Sequence, residues 1–358
     1  MALVLIVTIA FAALAAGFAA AYRLRQIFAG AALATVDFSP HRLRPGEVAM
    51  LIAAVMSKTI RRKLGFRQQA PPQLSVTAPF LVRPEDVQKY YRAVAHDATN
   101  SMTIDGAHLP LFLSALTTPA MLLLLANSSC AISSLGSVNV KNRFEVILPE
   151  SCDLSLLSVA GRASVRATVR HEPRIVKRGR EYDLEVSILV KSDVSGGETL
   201  PVFRQIFTML EFGKGTGEAT RESRAAKVAE AAPVAEALST FTFSSSDPWD
   251  WAALCRDYNF IHLSTAAARV FGMSGRVAHG NQVLGKAIQA LLERQAVGFN
   301  GDQPIWFEAR FRSPMAIPGM FTVGQLLPGT GLGSFAIFSK GKKCIEADYG
   351  VLHSEERA

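Results

Sequence analysis

The chain has 358 residues, of which 38 are Lys or Arg and 30 are Asp or Glu, giving a net charge of +8. That length is enough for about two domains. Basic proteins often bind nucleic acid, but here the charge is concentrated after an N-terminal apolar segment and is not interleaved with aromatic residues, which argues against such a partner. The four cysteines contain no C-x-x-C pair, which excludes a zinc ribbon and a disulfide framework.

The N-terminal segment is apolar and uncharged. Ala2 to Tyr22 is rich in Leu, Ile, Val, Phe and Ala, and is about long enough to cross a bilayer as a helix. A signal peptide would have a basic n-region and a shorter apolar core, and a mitochondrial presequence would be amphipathic. We therefore expect residues 1–22 to be a single-pass transmembrane anchor, with the two cleaved alternatives left open.

A basic stretch follows this segment, and we assign residues 23–72 to a juxtamembrane region. By the positive-inside rule, the chain after Tyr22 lies on the cytoplasmic side of the membrane, or on the matrix side in an organelle. Part of the stretch is expected to lie along anionic headgroups, and Val48 to Leu64 has the pattern of an amphipathic helix. The basic residues are Arg23, Arg25, Arg42, Arg44, Lys58, Arg61, Arg62 and Lys63.

A first folded domain is predicted over residues 73–212. A strand pattern begins at Leu74 and a helix at Pro84. The apolar helical run from Leu113 to Leu125 is short for a membrane span and is better interpreted as a buried core helix. Long alternating strands follow from Leu157 to Glu211, with one face on a core and the other toward solvent.

Residues 213–240 are small, charged and poor in aromatic side chains, which predicts a linker. A second domain, residues 241–358, then opens. Asp247 is expected to cap a helix with Pro248 at its first position. A small-residue helix from Ser264 to Phe271 and a helix beginning at Gly280 follow, and strands close the chain.

The second domain places an acid and an imidazole five residues apart, at Asp257 and His262, with Asn259 between them. Such a pair can activate a water molecule held between its members. His279-Gly280 opens the next helix, where a backbone N–H can face a developing oxyanion. The alternative is structural, because Asp and Asn commonly cap helices and turns.

The whole stretch closely resembles the MaoC-like, (R)-specific enoyl-thioester hydratase/dehydratase family (hydratase 2). The family pattern reads approximately S-G-D-x-N-P-I-H, then a small-residue helix, then a helix opened by H-G. The matching positions are Asp257, Asn259, Ile261, His262, Ala266, Phe271, Gly272, His279 and Gly280.

Two positions depart from that pattern. Arg256 stands where the family has Gly, and Phe260 stands where it has Pro. Proline fixes φ and lacks a donor, so Phe260 leaves this turn less rigid. Arg256 would lower the pKa of Asp257 if its guanidinium pointed inward. The departures bear on rate or substrate more than on the chemistry.

The first domain resembles the N-terminal half of two-repeat members of this family, through His108-Leu-Pro-Leu-Phe and the L-G-S-V-N-V sequence near Val138. It has no D-x-N-x-x-H, and His96-Asp97 has the wrong order and spacing. The resemblance implies an α+β double hot-dog fold, with two long helices each wrapped by an antiparallel sheet. Periodicity alone gives only α+β. The first repeat is then a degenerate one that helps to shape an acyl pocket.

The resemblance implies reversible hydration of trans-2-enoyl thioesters to (3R)-3-hydroxyacyl thioesters. Asp257 and His262 would hold the water, the N–H of Gly280 would polarise the thioester oxygen, and Asn259 would orient the loop or Asp257. For Asn259 and His279, purely structural roles at a turn and a helix start remain equal alternatives. No redox cofactor or metal is implied, because Asp257, Asn259 and His262 offer too few ligands for a closed zinc site.

The expected partners are an acyl-CoA or acyl-carrier-protein substrate and the membrane, with homo-oligomerisation left open. Two other functions remain alternatives. One is a catalytically weak hot-dog subunit with a structural role in a membrane complex, which the anchor, Arg256 and Phe260 favour. The other is a hot-dog thioesterase, against which the D-x-N-x-x-H and H-G motifs argue.

Overall fold

The computed structural model describes residues 15–64, 73–95, 103–133, 136–170, 172–192, 198–213, 236–295, 302–326 and 331–353. The described part of the chain is organised around one 12-stranded, mostly antiparallel sheet. The strand order is β1-β2-β4-β6-β7-β3-β9-β12-β11-β10-β8, with β5 beside β6. The first six strands of this order come from the first repeat and the segment before it, and the last five come from the second.

The first repeat wraps the long apolar helix α5, as the sequence predicts. Strands β2, β3, β4, β6 and β7 all contact this helix, and its side chains are almost all buried. The elements of this repeat are β2 (Ser75–Phe80), α4 (Pro84–Ala95), α5 (Leu109–Ala126), β3 (Ser137–Val146), a 3-10 helix (Pro149–Cys152), α6 (Leu154–Leu157), β4 (Ala163–Val169), β5 (Arg174–Val176), β6 (Gly179–Lys191) and β7 (Thr199–Phe212).

The second repeat packs its sheet against a second helix, α10, and joins the first repeat through the antiparallel pair β3 and β9. The predicted α+β hot-dog fold is confirmed, with the two expected sheets joined into one continuous sheet. The elements of this repeat are β8 (Glu236–Phe243), α7 (Asp247–Cys255), α8 (Phe260–Leu263), α9 (Thr265–Val270), α10 (Gly280–Leu292), β9 (Ile305–Phe311), β10 (Gly319–Gln325), β11 (Gly333–Ser339) and β12 (Lys342–Val351).

Strand β8 begins at Glu236, before the predicted start of the second domain at residue 241. It pairs antiparallel with β10 from Glu236 onward, so residues 236–240, predicted as linker, lie in the part of the sheet that the second repeat contributes. Residues 214–235 of that linker lie outside the described residues.

The segment before the first repeat, predicted as a juxtamembrane region, contains regular elements that pack against that repeat. It contains the helix α1 (residues 15–23), α2 (Arg25–Phe28), β1 (Leu33–Thr35), a 3-10 turn (Pro40–Arg42) and α3 (Pro45–Lys63). Strand β1 pairs in parallel with β2, and Leu24 and Ile27 are fully buried. This segment is therefore part of the core.

Two of its basic side chains act inside the protein. The ammonium of Lys58 donates to the carbonyl of Leu125, and the guanidinium of Arg62 donates to that of Ala131. Carbonyls at the C-terminal end of a helix lack intrahelical donors and carry the negative end of the helix dipole. Leu125 lies at the C-terminal end of α5 and Ala131 lies in the loop after it, so these two cations bind main-chain acceptors at and just beyond the end of this helix.

Among the described residues, Leu109–Ala126 is the one helix long and apolar enough to cross a bilayer, and 89% of it is buried inside the protein. It is the core helix that the sequence predicts. Residues 1–14 of the predicted anchor lie outside the described residues, so the transmembrane helix stays a prediction.

Candidate active site

The D-x-N-x-x-H stretch forms a short loop between α7 and α8. Helix α7 ends at Arg256, whose backbone is left-handed, with φ 55° and ψ 17°. The Asp257 carboxylate accepts from the N–H of Asn259 at 3.2 Å, and the Asn259 side-chain oxygen accepts from the N–H of Ile261 at 3.3 Å. Asn259 thus caps α8 and fixes the loop, which is the structural role left open for it.

His262 is held in one tautomer. Its Nδ1 lies 2.8 Å from the carbonyl oxygen of Val277. A carbonyl can only accept, so Nδ1 carries the proton and Nε2 is left with a lone pair when the ring is neutral. The backbone of Val277 is fixed in turn, since its N–H donates to the carbonyl of Ile261 at 3.1 Å. Nε2 is therefore the nitrogen available for proton transfer.

His279 stands beside His262 at the start of α10. The two rings stack with their centroids 3.7 Å apart and an interplanar angle of 29°. Its Nε2 donates to the backbone carbonyl of Asp257 at 3.2 Å and lies 4.0 Å from the carboxylate of the same residue. The Nδ1 of His279 is buried and has no partner among the described residues. His279 thus braces both members of the dyad.

Burial controls the charge of both imidazoles. It lowers the pKa of His262, against the opposing effects of the Asp257 carboxylate and the Val277 carbonyl. Burial, followed by the neighbouring His262, lowers the pKa of His279 to well below the ordinary value. Burial also raises the pKa of the Cys255 thiol well above its usual range. At neutral pH the two imidazoles are neutral, and the nearby thiol is protonated.

The carboxylate and the two imidazoles converge. Three side chains each contribute one imidazole nitrogen or carboxylate oxygen, and these atoms lie within 4.8 Å of one another: Asp257, His262 and His279. The Asp257 side chain is 27% exposed, so solvent reaches it. A water with two tetrahedral hydrogen bonds of ordinary length spans about 4.6 Å between its partners. The separation therefore suits one bridging water.

The same three side chains are less well suited to a metal ion. Zinc takes tetrahedral ligands at about 2.0–2.1 Å from imidazole nitrogen. Stacked imidazoles place their lone pairs side by side and not toward a common point. The Nδ1 of His262 already donates to Val277. The arrangement favours proton transfer.

Gly280 is the first residue of α10, and its N–H has no intrahelical acceptor. The positive end of the dipole of this 13-residue helix lies at the same place. A Cβ at Gly280 would come within 2.4 Å of the Phe311 ring, so packing against this ring requires glycine here. The predicted oxyanion donor is therefore placed next to the dyad by its neighbour His279.

One buried ion pair behind the site was not predicted. Ser246 takes the cap position of α7, and the carboxylate of Asp247, the predicted cap, instead lies 2.9 Å from the ammonium of Lys286 on α10. Both side chains are almost fully buried. The amide of Gln282 donates to the carbonyl of Asp247 at 2.8 Å. These contacts fix α10 against α7, which leads into the D-x-N-x-x-H loop.

The first repeat also holds the first turn of α10. The side-chain oxygen of Asn281 accepts from Asn142 on β3 at 2.7 Å, and its amide donates to Ser114 on α5 at 3.1 Å. Asn281 directly follows Gly280, so the position of the oxyanion donor depends on both repeats.

The first repeat retains an imidazole at the corresponding helix start but uses it structurally. The Nδ1 of His108 accepts from the Tyr90 hydroxyl at 2.8 Å, and its Nε2 pairs with the Gln289 side chain at 3.0 Å. Leu109, the first residue of α5, donates its N–H to the carbonyl of Asp105 at 3.1 Å, so this N–H is already used. His96 and Asp97 lie outside the described residues. These features explain a degenerate repeat.

Residues 223–322 match the family described as MaoC like domain. The chain therefore contains a MaoC-like domain, which includes the loop, both imidazoles and α10. No curated protein sequence matches the chain.

Three solved structures share its fold. HtdX from Mycobacterium tuberculosis is 19% identical, with a TM-score of 0.54 over 77% of this chain and 99% of that one. A MaoC-like dehydratase from Phytophthora capsici is 15% identical, with a TM-score of 0.52 over 80% and 96% of the two chains. The full-length peroxisomal multifunctional enzyme type 2 from Drosophila melanogaster is 15% identical, with a TM-score of 0.51 over 83% and 52%.

Proposed function

Because residues 223–322 carry a MaoC-like domain, we propose that the chain is a hydro-lyase that reversibly hydrates trans-2-enoyl thioesters to (3R)-3-hydroxyacyl thioesters. One observation carries the proposal. The tautomer-fixed His262 and the Asp257 carboxylate have polar atoms within 4.8 Å of each other, a separation that one water can bridge, and the N–H of Gly280 has no acceptor within its own helix at the start of α10.

In the hydration direction, the water oxygen forms a bond to C3 while the C2=C3 electron pair moves toward C2 and the thioester oxygen. The Nε2 of His262 takes the proton that this water loses. The N–H of Gly280 and the dipole of α10 stabilise the negative charge on the thioester oxygen. The proton then passes from His262 to the Asp257 carboxylate and from Asp257 to C2, which leaves the imidazole neutral and the carboxylate ionised, as at the start. Dehydration follows the reverse path.

The test uses the full chain with crotonyl-CoA, longer enoyl-CoAs and the matching acyl-carrier-protein thioesters. Loss of the enoyl absorbance without release of thiol supports the hydro-lyase, and chromatography on a chiral phase identifies the 3R product. Release of thiol would make the protein a thioesterase instead. If the enoyl absorbance stays constant and no thiol is released, while circular dichroism shows a folded chain, the remaining alternative is the structural role in a membrane complex.

We further propose that residues 1–22 anchor the protein to a membrane, with the catalytic repeat on the cytoplasmic or matrix side. The uncharged composition of Ala2 to Tyr22 supports this, and so does the exposure of apolar side chains on α1, where Phe18 is 69% and Tyr22 67% exposed. Full-length protein should stay in the membrane pellet after carbonate extraction. Its recovery in the supernatant, or a mature N-terminus beyond Tyr22, would contradict the anchor.

A further inference from the structure

Arg256 directly precedes the dyad carboxylate and occupies an unfavourable backbone conformation. Its φ of 55° is left-handed, a region that a Cβ disfavours and that glycine adopts freely. The motif that the chain resembles has glycine at this position. An arginine therefore needs a compensating interaction through its side chain.

That interaction reaches across the molecule. The Nε of Arg256 donates to the backbone carbonyl of His41 at 3.0 Å, over a sequence separation of 215 residues. His41 lies in the 3-10 turn Pro40–Arg42, before the first repeat. The guanidinium thus points away from the reaction site and toward the N-terminal segment, and a charged donor makes this a strong kind of hydrogen bond.

The turn that receives Arg256 is itself firmly held. The His41 ring is buried and meets the edge of Phe80 with 5.9 Å between the ring centroids. The Arg42 guanidinium donates to Asp86 at 2.6 Å and to Glu85 at 3.1 Å, both on α4. The same turn packs against α5. A bond to this turn therefore ties the catalytic loop to the core of the first repeat.

The loop needs such a tie. Asp257 follows Arg256 immediately, and Phe260 replaces the proline that would stiffen the turn. Phe260 is 47% exposed, so its side chain adds little packing. Asp257 and Asn259 make local hydrogen bonds within the loop, and Asp257 also contacts His279.

We propose that Arg256 is a positioning residue, which holds the Asp257 carboxylate in register with His262 by fastening the loop to the turn Pro40–Arg42. The segment before the first repeat is then part of the active-site scaffold. This inference rests on the proposed hydration reaction for its kinetic readout, and on hydrogen exchange for a readout that does not depend on it.

The test compares the full chain with Arg256→Gly, which suits the left-handed backbone and should fold. We expect kcat to fall about tenfold, because small misplacements of reacting groups are costly. KM and the acid limb of the pH profile should not move, and amide exchange over residues 256–263 should quicken. Arg42→Ala, which loosens the turn from a distance, should change kcat and exchange in the same direction. Arg83→Ala, a neighbouring exposed arginine, is the control.

Wild-type kcat and exchange in Arg256→Gly would overturn the proposal. So would a displaced acid limb that Arg256→Lys restores, because that result would assign Arg256 an effect of charge on the dyad and not of position. If the wild-type protein has no hydratase activity, the proposed function fails, and the exchange of residues 256–263 still decides whether Arg256 fastens the loop.

Discussion

The imidazole rings of His262 and His279 stack 3.7 Å apart, so a proton on one ring opposes a proton on the other. His279 is the more deeply buried of the two, and its pKa is held well below the ordinary value. His279 therefore stays neutral and donates to the backbone of Asp257, while His262 is the ring that exchanges protons.

The pH dependence of the reaction follows from this arrangement. Because burial lowers the pKa of His262, the acid limb of kcat/KM should lie below about 6.5, the ordinary value for histidine. The Asp257 carboxylate opposes that shift by stabilising the imidazolium, so Asp257→Asn should move the limb of the residual activity to still lower pH. A pH–rate profile measures both. A limb at or above the ordinary value would contradict the neutral, buried His262.

Stability should depend on pH through the buried histidines. Burial lowers the pKa of His41 to about 3 and also lowers those of His108 and His279. Each binds a proton more readily in the unfolded chain, so the free energy of unfolding should decrease as pH falls below about 6.5. For His41 the decrease continues down to its folded pKa of about 3.

The variant His41→Leu should flatten that decrease, since leucine has no proton to bind. Urea denaturation at a series of pH values measures the slope. His353→Leu, at an exposed histidine, is the matched control and should leave the slope as it is. Parallel slopes for wild type and His41→Leu would show that His41 is not buried in the neutral form.

Removing one member of the buried Asp247–Lys286 pair should lower the free energy of unfolding more than removing both charges does. Lys286→Met leaves a buried carboxylate without its partner, and such changes destabilise proteins by about 3–5 kcal/mol. The double variant Asp247→Asn/Lys286→Met should recover part of that loss. A double-mutant cycle by urea denaturation measures the coupling, and fully additive single effects would contradict a coupled buried pair.

His108 should matter for stability and not for catalysis. His108→Ala removes the hydrogen bonds to Tyr90 and Gln289, each worth about 0.5–1.5 kcal/mol, with a further penalty for any buried partner left unsatisfied. The urea midpoint should fall, while kcat/KM of the folded protein should be unchanged. A loss of turnover without a loss of stability would give the first repeat a catalytic role.

The local parts of the site could be predicted because the sequence places them together. Asp257, Asn259 and His262 lie within one turn and a short helix, and Gly280 follows His279 directly, so each group is local in sequence, while the family resemblance predicted that the two groups form one site. The core helix at Leu113–Leu125 was predictable from composition, because an apolar run that is short for a membrane span is best buried in a protein core.

The long-range contacts could not be predicted. Arg256 reaches His41 across 215 residues, and His108 reaches Gln289 across 181. Neither partner has a sequence feature that identifies the other. The role of Lys58 was unpredictable for the same reason, because its acceptor lies 67 residues away, at the end of α5. The sequence did indicate one long-range contact. Lys286 is a lone cation in an apolar helix, and a buried cation needs a partner.

The turnover of crotonyl-CoA by dyad variants of the full chain tests the central claim most directly. Asp257→Asn and His262→Ala should each lower kcat by about 10²–10⁴, the usual contribution of general acid–base catalysis. Asp250→Asn and His353→Ala, which lie outside the site, should turn over as the wild type does, with circular dichroism unchanged in all four variants. Wild-type turnover in a folded Asp257→Asn or His262→Ala variant would contradict the account.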